Sequence, residues 1–220
     1  MKQALITGGT RGIGKAIADL LADEYEVITV GRSSSATEQG DLLDVEFREH
    51  LLKKYTPYIF VNNAALLSKN LSLMMSMNGS IAVELLMRFY EKMDHGKIIN
   101  VSSISAEKSF LAKEPALRIA YACAKKYLKE TSLALSYSKN KPTKVMCISP
   151  AATDTDMIKL ISNNYTPLQD HYLNYNWESS ICWTRPEEVA KIVKWMLDQP
   201  DWINIPELVI DNHYANAINW

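Results

Sequence analysis

The chain has 220 residues, 47% of them hydrophobic and 22% charged, which suits one domain and excludes intrinsic disorder. Its 24 Lys plus Arg against 25 Asp plus Glu leave a net charge of −1, so nothing electrostatic draws it to nucleic acid or an anionic membrane. No apolar run nears the roughly 20 residues of a membrane span. The N-terminus lacks a signal-peptide pattern, and three cysteines with four scattered histidines form neither a disulfide framework nor a zinc spacing. The expectation is a single soluble, cytoplasmic, metal-free domain over residues 1–220.

Strand-length apolar runs alternate with helical stretches along the chain. A strand is expected at 3–7, then a helix with Ile13, Ile17, Leu20 and Leu21 on one face. A second strand follows at 26–31. Residues 33–40 are polar and turn-like, where a longer chain places a helix and a strand, so both are expected to be shortened or missing. A helix near 45–55 leads to a strand at 58–62. Residues 71–93 read as mostly helical, interrupted by Asn78-Gly79. A strand at 97–102, a long helix at 118–138 and a strand at 144–149 ended by Pro150 come next. The stretch 155–184 is irregular, and its Tyr165, Tyr172, Tyr175, Trp177 and Trp183 suit either a lid over a substrate or a packed subunit contact. Pro186, with Glu187 and Glu188 behind it, opens a last helix before a strand at 207–211. This alternation predicts an α/β fold: a Rossmann-like, doubly wound parallel sheet. Such sheets bind ligands beyond the carboxyl ends of their strands.

After the first strand stands Thr7-Gly8-Gly9-Thr10-Arg11-Gly12-Ile13-Gly14, opening into a helix. Glycines there let the backbone turn tightly and approach a pyrophosphate held on free helix N–H groups. The spacing Gly8, Gly12, Gly14 differs from G-x-G-x-x-G. The second strand ends in Gly31-Arg32-Ser33, without the acid that usually binds a ribose 2′-hydroxyl. Arg32, Ser33 and Arg11 suit a 2′-phosphate instead, and the coenzyme expected is NADP, with NADPH preferred over NADH.

Tyr121 and Lys125 stand at i and i+4 on one helix face. A free phenol titrates near pH 10; a fixed ammonium beside it lowers that value and fits it for proton transfer to an alkoxide. Cys123, between them, is expected to be a packed thiol.

Taken in order, these pieces resemble the short-chain dehydrogenase/reductase family, in a form similar to its 3-oxoacyl-carrier-protein reductases but shortened. The resemblance is carried by the Thr7–Gly14 loop, Asp41-Leu42, Asn62-Asn63-Ala64-Ala65, Asn78, Ile99 to Ser103, Tyr121 to Lys125, and Pro150 to Thr155. It implies hydride transfer between a nicotinamide and a ketone or secondary alcohol, with Tyr121 as general acid–base. Lys125 would lower the pKa of Tyr121 and bind the nicotinamide ribose. Ser103 would hold the substrate oxygen, and Asn78 a water leading from Lys125 to solvent. Asp41 and Leu42 would flank the adenine, and Asn62 and Ala64 would line the adenosine ribose. Ile148, Pro150 and Thr155 would cover the nicotinamide, with Thr153 in the same segment. A small-molecule carbonyl or alcohol substrate is implied, with no nucleic-acid or membrane partner. A homodimer or homotetramer through the helices at 78–93 and 118–138 is implied by the family as well.

The chain departs from the family in places. Ser103 lies 18 residues before Tyr121 where about a dozen is usual, which makes Ser109 a rival. Ala65 and Ala151 stand where glycine is common. A catalytically silent NADP-binding sensor on the same fold is the competing reading, although such a binder has no need of an acid–base pair.

Overall fold

The computed structural model describes residues 1–107, 115–138, 140–157 and 184–211. Its strands are β1 (Gln3–Thr7), β2 (Glu26–Gly31), β3 (Glu38–Gln39), β4 (Ile59–Asn62), β5 (Lys97–Val101), β6 (Lys144–Ser149) and β7 (Glu207–Val209). The helices are α1 (Gly12–Leu21), α2 (Val45–Lys54), α3 (Leu71–Met75), α4 (Ala82–Lys92), α5 (Pro115–Tyr137) and α6 (Pro186–Asp198). The strands pair in parallel in the order β3-β2-β1-β4-β5-β6-β7. The expected doubly wound sheet is therefore present, with helices on both faces as parallel pairing demands.

Two apolar layers hold it. Ile17 and Leu21 of α1 and Val189, Val193 and Met196 of α6 pack on Ile6, Val61, Ile99 and Ile148. On the opposite face Leu51, Leu85, Phe89 and Leu128 of α2, α4 and α5 cover Leu5, Phe60, Ile98 and Val145. Strands β4 and β5 are buried along their whole lengths, the polar Asn62, Lys97 and Asn100 included.

The shortened edge takes the expected form. No helix joins β2 to β3; a turn closed by Ala36 N–H on the Ser33 carbonyl does so. Only Val30↔Glu38 and Gly31↔Gln39 pair there, with Thr29 and Thr37 exchanging backbone-to-hydroxyl bonds of 3.0 and 3.2 Å alongside. The interruption expected at Asn78-Gly79 is not a break. The helix runs on through Ser76–Ile81 as a π-turn, the wider winding that loosens the i→i−4 ladder without ending it.

At the opposite end of the sheet from the ligand crevice, lysines close the helix C-termini. Lys92 Nζ donates to the Leu52 and Tyr55 carbonyls at the end of α2, and Lys141 Nζ to those of Tyr90 and Glu91 at the end of α4. Lys97 Nζ reaches the Leu197 and Gln199 carbonyls, at 2.6 and 3.0 Å, at the end of α6. The residues after these three helices, Tyr55, Met93 and Gln199, are extended, so none stops in the left-handed turn that favours glycine. Among the described residues no non-glycine has positive φ, and Ala65 and Ala151 carry no such strain. No helix among the described residues is long and apolar enough to cross a membrane. The aromatic residues expected between 155 and 184, and Ser109, lie outside the described residues.

Candidate active site

Between β1 and β4 the winding of the sheet changes direction, and a crevice opens there at the strands' carboxyl ends. Gly8 and Gly12 hold φ of 67° and 53°, conformations that favour glycine. A Cβ on Gly8 would stand 2.9 Å from Asn63 Nδ2 and 3.0 Å from Ala64 Cα, and one on Gly14 would overlap the Gly8 carbonyl. The first turn of α1 contains no acid, and its N-cap, Arg11, makes no capping bond through its side chain. Free N–H groups and an uncompensated dipole therefore face the loop, as an anionic pyrophosphate requires.

The end of β2 and the segment after β6 both meet this loop. Thr10 lies against Gly31 at the end of β2, and Thr155 against Gly12, 3.3 Å from where its Cβ would be. Arg11, Arg32 and Ser33 are exposed, and Ile13 packs half-buried on the α1 core. Arg32 has an acid as neighbour after all: Asp41 Oδ2 stands 3.9 Å from its guanidinium. Asp41 also accepts from Leu43 N–H at 3.0 Å, while Leu42 is buried in the core.

Other expected residues turn inward. The Asn62 side chain, 3% exposed, donates to the Ala82 carbonyl and to Asn100 Oδ1, at 2.8 and 3.0 Å. Both amide hydrogens of Asn62 are thereby committed within the protein. Thr153 gives its hydroxyl to the Ala151 carbonyl at 2.9 Å. Ile148 is a core residue of the α1–α6 layer, and Pro150 is buried with its carbonyl accepting from Ile104 N–H at 2.9 Å.

Ser103 precedes a short 3₁₀ turn, Ile104–Ala106, and its hydroxyl accepts from Ser105 N–H at 3.2 Å. The same hydroxyl is a hydrogen-bond partner of the Tyr121 phenol, so the segment after β5 and the helix α5 meet at these two oxygens. Lys125 is 2% exposed and donates to the Val101 carbonyl at 2.8 Å. Burial pulls its ammonium down to about 8. The lowering of Tyr121 expected from Lys125 is not what the structure shows. Burial pushes the phenol up to about 12, and the Ser103 hydrogen bond only partly opposes it. Desolvating a phenolate costs more than one neutral donor returns, and the ammonium is committed to Val101. Asn78, fully buried, spends its side-chain amide on both backbone groups of Leu66, accepting at 2.8 Å and donating at 2.6 Å. It pins the loop after β4, and a relay water would need its backbone carbonyl.

Sequence reasoning missed the groups that support these residues. The Thr7 hydroxyl accepts from Asn63 N–H and Ala64 N–H, at 2.9 and 3.0 Å, while Asn63 Nδ2 donates to the Thr7 and Gly8 carbonyls. The register also aligns Asn62, Asn100, Cys147 and Glu207 in one row across four strands. Polar residues at i in successive strands were the available signal for that row. Lys129 was overlooked although it continues the Tyr121–Lys125 spacing by one more turn. Cys123 is exposed on the outer side of α5, not packed, because i+2 from an inward-facing, half-buried tyrosine turns away from the sheet.

A family model described as short chain dehydrogenase matches residues 52–166, just over half of the chain. The chain is 28% identical to the 3-oxoacyl-[acyl-carrier-protein] reductase FabG of Chlamydia trachomatis serovar D, over 97% of each protein. Among solved structures, it superposes on a serine dehydrogenase complexed with NADP+ with a TM-score of 0.78 and 21% identity, covering 94% of both chains. A 3-alpha-hydroxysteroid dehydrogenase from Pseudomonas sp. B-0831 complexed with NADH gives 0.77 and 19%, covering 95% of both. With the crevice, the glycine loop and the Ser103–Tyr121 contact in place, this chain belongs to the short-chain dehydrogenase family. It is an oxidoreductase that uses a nicotinamide nucleotide.

Burying Lys125 has a measurable cost. Its folded value of about 8 against an ordinary 10.5 means that between these pH values the unfolded chain binds more protons. Stability due to this residue therefore rises with pH across that window, and the penalty is complete below it. Without coenzyme, Lys125→Met is expected to stabilise the protein by roughly 2 kcal/mol at pH 7, the shift less the lost Val101 bond. That gain shrinks toward pH 10, as thermal unfolding of both proteins across this range will show.

Proposed function

We propose that this chain is an NADPH-dependent reductase of ketones, with Tyr121 as the proton donor. The observation that carries the reading is the Ser103–Tyr121 contact, placed one short step from the glycine loop. Thr155 touches that loop at Gly12, and Pro150, five residues earlier, holds the Ser103 turn through Ile104. A bound nicotinamide supplies the hydride.

The residues divide the remaining work. The loop from Gly8 to Gly14 and the start of α1 hold the pyrophosphate. Arg32, aided by Arg11 and Ser33, grips the 2′-phosphate; the exposed ion pair with Asp41 is weak enough to yield to it. Asp41 and Leu42 border the adenine, and Ala64 lines the ribose beside Gly8. Pro150 and Thr155 shape the nicotinamide side. Ser103 donates to the carbonyl oxygen and stabilises the charge that grows on it. A phenol held up to about 12 keeps its proton throughout the physiological range, which suits an acid that protonates an alkoxide. Lys125, desolvated one turn below, holds the ribose and draws the phenol down as its ammonium turns from Val101. Asn78 keeps the loop after β4 in place beside it.

The relatives named as 3-oxoacyl-[acyl-carrier-protein] reductase point to a 3-oxoacyl thioester as the first substrate to assay. Tyr121→Phe is expected to lower turnover of acetoacetyl-coenzyme A by about 10²–10⁴ while the NADPH dissociation constant stays within about twofold. NADPH oxidation at 340 nm and fluorescence titration provide the two readings, and retained turnover would remove the acid role.

Arg32→Ala is expected to weaken NADPH by at least about tenfold, one lost charged contact, and to leave NADH unchanged. Equal losses would argue against a 2′-phosphate site.

An apolar stripe on the outer side of α5 and on α3, Ile119, Tyr127, Leu71 and Met75, is exposed in the single chain. It supports assembly of copies through these helices. Sedimentation is expected to show a dimer or tetramer that Tyr127→Glu dissociates.

A further inference from the structure

Beneath the Ser103–Tyr121 contact lies an ion cluster that the reaction does not use. Lys129 is 5% exposed and pairs with Glu107 and, at 2.6 Å, with Glu207 of β7. Burial would lower its ammonium, but the two carboxylates outweigh that and raise it. The other Glu107 oxygen accepts from the Ser149 hydroxyl of β6 at 3.2 Å. Glu107 itself directly follows the Ser103 turn and is tied to it by its N–H on the Ile104 carbonyl, 2.9 Å.

We propose that Glu107 is the positioning residue of the Ser103 turn, bridging α5 and β6 through one carboxylate and so setting Ser103 against Tyr121. Lys129 stands two turns after Tyr121 on the same helical stripe, so a tether at Lys129 fixes the rotation of α5 that aims the phenol. Ser149 immediately precedes Pro150, whose carbonyl already takes the Ile104 N–H. The turn is thus held to β6 and α5 at both ends: at its start by Ser102, whose N–H donates to the Ile148 carbonyl at 2.8 Å and whose hydroxyl donates to the Lys125 carbonyl at 3.1 Å, and at its end by Glu107. Without Glu107 the start of the turn stays fixed through Ser102 and Ile104, while its end loses both bridges, and the Ser103 hydroxyl, which takes the Ser105 N–H, shifts with that end. The inference rests on the reading that Ser103 and Tyr121 act together on the carbonyl.

The cluster also dictates which variant is informative. Removing Lys129 leaves two half-buried carboxylates facing each other without a cation and endangers the fold. Removing Glu107 leaves the Lys129–Glu207 pair intact. Glu107→Gln keeps both bridges, its oxygen accepting from Lys129 and its amide donating to Ser149, while Glu107→Ala keeps neither.

The full chain is assayed with NADPH and acetoacetyl-coenzyme A. Glu107→Ala is expected to lose about 30- to 100-fold in kcat, the effect of displacing a reacting group by about 1 Å. KM, NADPH affinity and melting temperature stay near those of the parent, and Glu107→Gln recovers most of the rate. A second reading needs no substrate: with ¹³Cζ-labelled tyrosine, the Tyr121 resonance, assigned by its loss in Tyr121→Phe, moves in Glu107→Ala and returns in Glu107→Gln. An unmoved resonance in Glu107→Ala overturns the proposal. So does a Gln variant no better than Ala, or a rate loss that tracks lost NADPH binding or melting temperature. A resonance that moves in an enzyme whose turnover survives Tyr121→Phe would keep the brace and overturn the proposed reaction instead.

Discussion

One hydroxyl joins the two halves of the sheet where the ligand crevice opens. Thr7, buried at the end of β1, accepts from two successive amides of the segment after β4, and Asn63 returns two bonds to the carbonyls of Thr7 and Gly8. The β1–β4 pairing itself ends at Ile6↔Val61, and these bonds carry the contact one residue further, to where the strands part. This clasp brings Asn63 and Ala64 so close that only hydrogen fits at Gly8 and Gly14. The tight loop, the close start of α1 and the exposure of its N–H groups all follow from that approach.

The other half of the site depends on how α5 meets β5 and β6. Its inner stripe presents a phenol and two ammonium groups to an interior that desolvates all three. Each finds a different answer. The phenol stays neutral, Lys125 uses a backbone carbonyl, and Lys129 takes two carboxylates. The row from Asn62 to Glu207 makes the sheet beneath this helix polar where its neighbours are apolar. Cys147 in that row is kept protonated by burial, its thiol pushed up to about 12, and serves as neutral filling between charges.

Much of this was legible in the residues. β1, β2 and β6 have the bounds their apolar runs suggested; β1 and β6, buried on both faces, write their length directly into composition. The missing crossover helix was legible as a polar stretch too short to hold one. The glycine loop and the Ser103, Tyr121 and Lys125 positions stood out because their chemistry has few substitutes. What escaped was set by direction rather than identity. Asn62 and Thr153 point inward by strand parity and local turn geometry, and an acid reaches Arg32 from the segment after β3. The pKa of Tyr121 depends on how much water its site excludes, and spacing along a helix does not report that. Glu107, Lys129 and Glu207 are far apart in the chain and meet only through tertiary packing.

The lysines at the far end of the sheet bear on how the chain folds. Lys92, Lys97 and Lys141 stop helices that lack terminating glycines, and each comes from an element later or far earlier in the chain. The carbonyls at the end of α2 wait for α4, those of α4 for the approach to β6, and those of α6 for the start of β5. Helix length here is thus an outcome of assembly. Isolated fragments would fray at these ends, and their last turns would become ordered only in the same cooperative step that joins the strands.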